Sequence, residues 1–333
     1  MMKRKLGSNS WLVAALLGLS MVACGGPSQP AAGPPDPPPL DDSGEPDAPA
    51  SSPEVDAARA AIEGGDFAAA KAALDKALEK TPKDPQAHYY YGVVLEQSGD
   101  TAGASEHYKQ ALATDPKLPE PAVNLSTILL EVDKDAEGAL KVVQPALKFT
   151  PLHPGLLMNH ALILEALGKA DEALVAYGKA SAAAPNNVEL RFAYADLLAG
   201  AGKKDEAKKE LLAITTDDVK LLGAMGAVLG KVDAFADCIA VLDKAISQSP
   251  LPQLYVRRAT CKNAMKDVDG ATADYRAAIE KEPNSPAGHF YLGKHLAAAG
   301  KNKEAKAALA QAIKLDAEGK VAAAAKELLK TLK

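Results

Sequence analysis

The stretch Pro85–Leu118, PQAHYYYGVVLEQSGDTAGASEHYKQALATDPKL, decides the fold. Counted from Pro85, small residues stand at the eighth (Gly92), fifteenth (Gly99), twentieth (Ala104) and twenty-seventh (Ala111) positions. A large ring stands at the twenty-fourth (Tyr108) and a proline at the thirty-second (Pro116). Two helices that meet through small residues can approach closely, and a proline ends the second because it cannot extend the hydrogen-bond ladder. The pattern returns with a period near 34, which marks a stack of like units. An earlier unit has Gly65, Ala70, Leu74, Ala77 and Pro82; a later one, a residue longer, has Leu125, Ala139, Val143, Ala146 and Pro151. The fourth carries Ala161, Gly168, Ala173, Tyr177, Ala180 and Pro185. The fifth begins with Tyr194, Leu198, Gly202, Ala207 and Leu211, then breaks down at Ile214, where a small residue and a following proline are missing. Units six to eight resume with Gly226, Leu242, Ala245 and Pro250, then Ala259, Tyr275 and Pro283, then Gly293, Gly300, Ala305, Leu309 and Ala312.

This register resembles the tetratricopeptide repeat, in which small residues at positions eight, twenty and twenty-seven join two antiparallel helices. Larger residues at seven, eleven and twenty-four fill the space between them. The resemblance implies an all-α superhelical solenoid of about eight helix-turn-helix repeats over residues 54–333, with Ala317–Leu332 as a lysine-bearing helix capping the open end. The incomplete fifth unit is the expected place for a change of pitch.

Composition agrees with stacked helices: 47% of the 333 residues are hydrophobic but only 5% aromatic, and much of the remainder is alanine. The formal net charge is −5 and no basic block occurs after the first five residues, which argues against a nucleic-acid partner.

The first 23 residues read as an export signal: Lys3, Arg4 and Lys5, then an apolar run from Trp11 to Ala23 too short to span a bilayer. Met21-Val22-Ala23-Cys24 resembles the lipobox of bacterial lipoproteins. That resemblance implies cleavage before Cys24 and acylation of its thiol and new amine, so that lipid holds the chain to a membrane. The methionine at Met21 departs from the usual leucine. Gly25, in place of aspartate, implies the outer membrane, with the chain facing the periplasm. Cleavage would take the formal charge from −5 to −8 and remove Trp11, the single tryptophan. Residues 24–53 follow as a tether with ten prolines, five acidic residues and no basic one. Such a segment cannot bury a core and is expected to be extended, with a reach of roughly 90 Å.

Two cysteines remain. Cys238 lies twelve residues before Pro250 and Cys261 eleven after it, so the two should sit level on neighbouring helices. An oxidising compartment can close them into a disulfide, and two buried thiols standing in for alanine fit the same positions. The six histidines show no i, i+4 pair, and there is neither a phosphate-cradling glycine loop nor a serine elbow. No catalytic residue, metal or cofactor is therefore expected. His88 and His289, both at the fourth position of their repeats, read as packing residues.

What the resemblance leaves for function is the concave surface lined by the first helix of each repeat. Its positions are filled here by Tyr89, Tyr90, Val93 and Glu96, then Val123, Asn124 and Thr127, then Met158, Asn159 and Leu162, then Phe192 and Asp196. Unit six contributes only Gly223, Ala227 and Gly230; beyond it stand Val256, Arg257, Asn263, Phe290, Tyr291 and Lys294. Aromatic and aliphatic anchors beside amides suit a peptide or a helix of a partner protein. The lysine–asparagine clamp of some cytosolic relatives is missing, with Tyr89 and Val93 at its first positions. The expected role is an envelope scaffold that recruits other proteins. In layout it resembles lipoproteins that assist pilus secretins, dock peptidoglycan hydrolases or serve gliding motility. An enzyme or ligand-binding lipoprotein with a site between repeats, and a purely structural spacer, are the competing readings.

Overall fold

The computed structural model describes residues 51–332, so the expected export signal, Cys24 and the expected tether up to residue 50 lie outside the described residues. Those described form an all-α chain of seventeen helices. The hairpins are α1 (Pro53–Glu63) with α2 (Phe67–Lys80), α3 (Pro85–Gln97) with α4 (Thr101–Thr114), α5 (Pro119–Glu131) with α6 (Ala136–Phe149), and α7 (Pro154–Ala166) with α8 (Ala170–Ala183). They continue as α9 (Val188–Gly200) with α10 (Lys204–Leu212), α11 (Val219–Lys231) with α12 (Phe235–Gln248), α13 (Pro252–Ala264) with α14 (Val268–Lys281), and α15 (Pro286–Ala298) with α16 (Asn302–Leu315). A last helix, α17 (Lys320–Thr331), stands alone. The helices group into two compact units that divide between Ala184 and Pro185, where the fifth repeat begins.

Local chemistry sets the helix ends. Asp84 accepts from the amides of Gln86 and Ala87 ahead of Pro85, and Asp100, Asp135 and Asp267 each accept from the amide of a glycine three residues on. Hairpin turns require a left-handed residue, which is glycine at Gly65, Gly99, Gly168, Gly202 and Gly300. The third, sixth and seventh hairpins use Lys134, Asp233 and Lys266 there instead, at φ of 56°, 63° and 66°.

Within each hairpin the small positions act as sockets. A Cβ on Gly92 would run into the Tyr108 ring, one on Gly226 into Leu242, and one on Gly293 into Leu309. Ala104, Ala111, Ala173, Ala180, Ala271 and Ala305 are fully buried. The ring at position twenty-four also turns its hydroxyl back to position twelve. Tyr108 donates to Glu96 at 2.8 Å, Tyr177 to Glu165 at 2.8 Å, and the Asn263 amide donates to the Tyr275 hydroxyl at 3.3 Å.

Within each unit, a second helix packs on the next first helix, and first helices also touch one another at α1/α3, α5/α7, α9/α11 and α11/α13. Among the described residues no pair of second helices makes comparable contact. The first helices are thus the crowded, inner layer of each unit. Two polar contacts recur at these junctions. At position four, His88 Nε2 and His289 Nε2 each donate to a proline carbonyl six residues back, Pro82 and Pro283, at 3.0 Å, and Arg191 Nε donates likewise to Pro185 at 2.6 Å. At position six, Asn159 donates to the Val123 carbonyl at 2.9 Å and Arg257 to the Gly223 carbonyl at 3.2 Å, both on the preceding first helix.

The fifth hairpin is the irregular one. Its second helix has nine residues, against fourteen in the second helices of the fourth and sixth hairpins, and Ile214 stays 8% exposed after the helix has ended. Cys238 on α12 and Cys261 on α13 are both buried, with Cα atoms 6.5 Å apart, and are joined as a disulfide across the junction of repeats six and seven. At the open end α17 places Ala325 against Leu309 and Ala312, with Val321, Leu328 and Leu329 packed around them. Asp316 caps it by accepting from the amides of Val321 and Ala322.

Filling a socket should cost stability and relaxing a turn should add it. Gly92→Ala is expected to destabilise the first unit by about 1–3 kcal/mol through overpacking against Tyr108. Lys266→Gly is expected to stabilise the second by about 1 kcal/mol. Urea unfolding followed by circular dichroism reads both signs.

Candidate partner-binding faces

In the first unit, α3, α5 and α7 bring the expected residues together unevenly. Tyr89, Tyr90, Val93, Val123, Asn124, Met158 and Leu162 are half-buried, so each offers part of its surface. The Tyr89 ring lies 4.9 Å from that of Tyr90 and 6.2 Å from that of Tyr108. Asn124 donates to the Tyr108 hydroxyl at 3.1 Å, which itself donates to Glu96. An Asn124–Tyr108–Glu96 chain therefore crosses from one repeat to the previous one. Burial above all, then Glu120, Tyr90 and Glu96, push the Tyr89 phenol up to about 12.

Two expected contact residues are core residues instead. Asn159 is 4% exposed, and its amide nitrogen faces the Val123 carbonyl, Ser126 Oγ and Thr127 Oγ1 at 2.9–3.0 Å. Its donors serve the repeat junction and not a ligand. Phe192 is 2% exposed; burying the whole ring is worth more than leaving it half in water. Phe290 is half-buried and packs toward the Leu309–Ala325 cluster under the cap. Arg257 is exposed, and Tyr291 beside Phe290 is 43% exposed.

A feature that the residue-by-residue reading missed is the charge of six of the first helices, set apart from α1 and α9, which carry both signs. Helices α3, α5 and α7 carry Glu96, Glu120, Glu131 and Glu165 and no lysine or arginine. Helices α11, α13 and α15 carry Lys220, Lys231, Arg257, Arg258, Lys262 and Lys294 and no aspartate or glutamate. Summing charge by repeat position over each helix would have found it.

Other polar clusters are structural. Asp274, 3% exposed, takes a two-pronged ion pair from Arg258, at 2.5 and 2.9 Å, and a third contact from Lys262 at 2.9 Å. Arg258 also reaches Asp243 on α12 at 2.5 Å. Because His88 Nε2 carries the proton given to Pro82, its Nδ1 accepts, and His107 Nδ1 donates to it at 3.1 Å. The His107 ring stacks on Tyr91 at 4.3 Å. Burial, with His88 second, lowers the His107 pKa. Among the described residues, no group of three or more His, Cys, Asp or Glu side chains could hold a metal ion. No helix among them is long and apolar enough to cross a membrane.

Residues 55–119 and 264–320 match one tetratricopeptide-repeat model, and residues 164–229 match another. Together these take in more than half of the 333 residues, and the chain is a tetratricopeptide-repeat protein. Its fold is that of a protein–protein interaction module. Over 162 residues it is 26% identical to the human protein O-mannosyl-transferase TMTC1, a match covering 46% of this chain and 18% of that one. The chain spans less than two thirds of the length of each curated relative that it matches here. Among solved structures, the C-terminal part of a tetratricopeptide-repeat protein from Cytophaga hutchinsonii superposes with a TM-score of 0.59 at 18% identity, covering 73% of this chain and all of that one. The Pseudomonas aeruginosa pilF structure gives 0.52 at 21% identity, covering 59% and 90%. These likenesses concern the fold.

Two stability outcomes follow. Asp274→Asn leaves Lys262 without a carboxylate and Arg258 with Asp243 alone, and should cost about 3 kcal/mol, read by chemical denaturation. His107 has a folded pKa below its unfolded one, so its contribution is complete above the unfolded value and is lost as pH falls through the folded value. Acidification from pH 7 to pH 5 should therefore lower the urea midpoint of the first unit, and His107→Phe, which keeps a ring on Tyr91, should reduce that loss.

Proposed function

We propose that this chain is a lipid-anchored scaffold of the bacterial envelope, held through acylated Cys24 to the outer membrane and seating partner proteins on the inner faces of its repeats. The observation that carries the scaffold reading is that Tyr90, Val93, Val123, Met158 and Leu162, all apolar or aromatic residues of the first helices α3, α5 and α7, are only partly buried. Such residues stay partly wet in the free protein and have apolar surface left to bury against a partner segment. On the same helices Glu120 is exposed and Glu96 half-buried, which favours a segment bearing lysine or arginine beside its apolar anchors. The export signal and the Met21–Cys24 motif support the anchor, and the acidic, proline-rich residues 25–53 suit a spacer between membrane and repeats. The Cys238–Cys261 pairing fits an oxidising compartment.

Two measurements test the two halves of this reading. Metabolic labelling with palmitate should mark the wild type and leave Cys24→Ser unlabelled and released from the membrane fraction; label on both, or on neither, ends the anchor assignment. In-cell cross-linking should capture a defined envelope protein with wild type and lose it with Tyr90→Ala, Met158→Ala and Leu162→Ala combined. Equal capture by a folded triple variant would remove these residues from consideration, and no capture by either would favour a spacer.

A further inference from the structure

The charge inversion between the two sets of first helices is unlike anything needed for packing. Of the six cations on α11, α13 and α15, three have carboxylate partners: Lys231 with Asp196 at 3.5 Å, and Arg258 and Lys262 with Asp274. The other three, Lys220, Arg257 and Lys294, are exposed, and among the described residues no carboxylate forms an ion pair with them. Arg257 donates one N–H to the Gly223 carbonyl on the preceding first helix, which places its guanidinium on the inner layer and leaves further donors unspent. Glycines let α13 come close to α11: a Cβ on Gly223 would meet Leu254 at 2.9 Å, and one on Gly230 the Cys261 sulfur at 3.3 Å. Tyr291, beside Phe290 on α15, adds an aromatic surface that is 43% exposed.

We propose that the inner face of the second unit docks an acidic, extended segment of a partner protein, its carboxylates paired with Lys220, Arg257 and Lys294 and an apolar side chain or proline laid on Tyr291. This rests on the reading that inner faces seat partners, and adds that the two units select segments of opposite charge. Charge complementarity chooses the occupant: three unpaired cations on successive repeats match carboxylates spaced along a chain. First helices touch at α9/α11 and α11/α13, which keeps Lys220 and Arg257 on neighbouring helices of one layer, a spacing that suits an extended peptide.

The probe is a fluorescent twelve-residue peptide of aspartate and glutamate around one leucine and one proline, with its lysine counterpart as control, titrated into the purified full chain by anisotropy. The acidic peptide should bind and the lysine peptide should not. Binding should weaken with added salt. Lys220→Gln, Arg257→Gln and Lys294→Gln combined should weaken it about tenfold or more, while Lys303→Gln, Lys306→Gln and Lys314→Gln on α16 should leave it unchanged. Circular dichroism verifies that both variants fold, and Tyr291→Ala alone should weaken binding if the triple change is misread through folding. Equal loss in both triple variants would mean a non-specific charge effect and overturn the site. Tighter binding after Asp36, Asp41, Asp42, Glu45 and Asp47 are all changed to asparagine would mean that the chain's own acidic segment occupies the face, and would overturn the partner assignment. The partly buried apolar residues of the first unit are scored by separate substitutions, so either proposal can fail while the other stands.

Discussion

Everything in this structure depends on how closely two helices of a hairpin can approach. That distance is set by glycine and alanine at positions eight, twenty and twenty-seven, with one large side chain lodged over the gap. Gly92 under Tyr108, Gly226 under Leu242 and Gly293 under Leu309 are the same joint with different fillings. Because a hairpin cannot cover its own outer apolar surface, the joint is useful only when stacked, and stacking is what places one helix of every pair on the inner layer. The tyrosine fillings add a polar requirement: their hydroxyls are paired with Glu96, Glu165 or Asn263 at position twelve. Part of what looks like a ligand-reading surface is thereby committed to holding the repeat together.

Much of this was legible from spacing. The hairpins, the defect after Leu211, the level placement of Cys238 and Cys261 and the packing role of His88 all follow from counting positions, since a repeat converts sequence offset into spatial neighbourhood. What spacing could not tell is how each side chain divides itself between neighbour and solvent. Asn124 and Asn159 share a repeat position, yet Asn124 meets a phenol while Asn159 meets a carbonyl and two hydroxyls and is closed off from water. Phe192 stands at the position of Tyr89, which remains half exposed, and is itself swallowed. These outcomes turn on the neighbouring repeat, whose residues vary most.

Electrostatics was legible in principle and concealed by bookkeeping. The overall balance of −5 hides an acidic set of first helices, α3, α5 and α7, and a basic set, α11, α13 and α15. Second helices supply the compensating carboxylates, among them Asp274, so the basic layer does not show as a basic block in the linear sequence. Net charge reports on the molecule as a colloid, whereas partners meet one face at a time.

The Cys238–Cys261 bond ties helices of adjacent repeats, and its meaning changes when the chain is considered as something pulled. A scaffold fixed at one end and loaded through its partners bears tension along the backbone, and stacked hairpins resist it only by non-covalent contact. The bond bridges a sequence separation of 23, about 80 Å of contour length that cannot be drawn out while it is intact. The sixth-to-seventh junction, which also carries the Arg258–Asp243 contact, is thus the stretch that would keep its shape when neighbouring hairpins have begun to part.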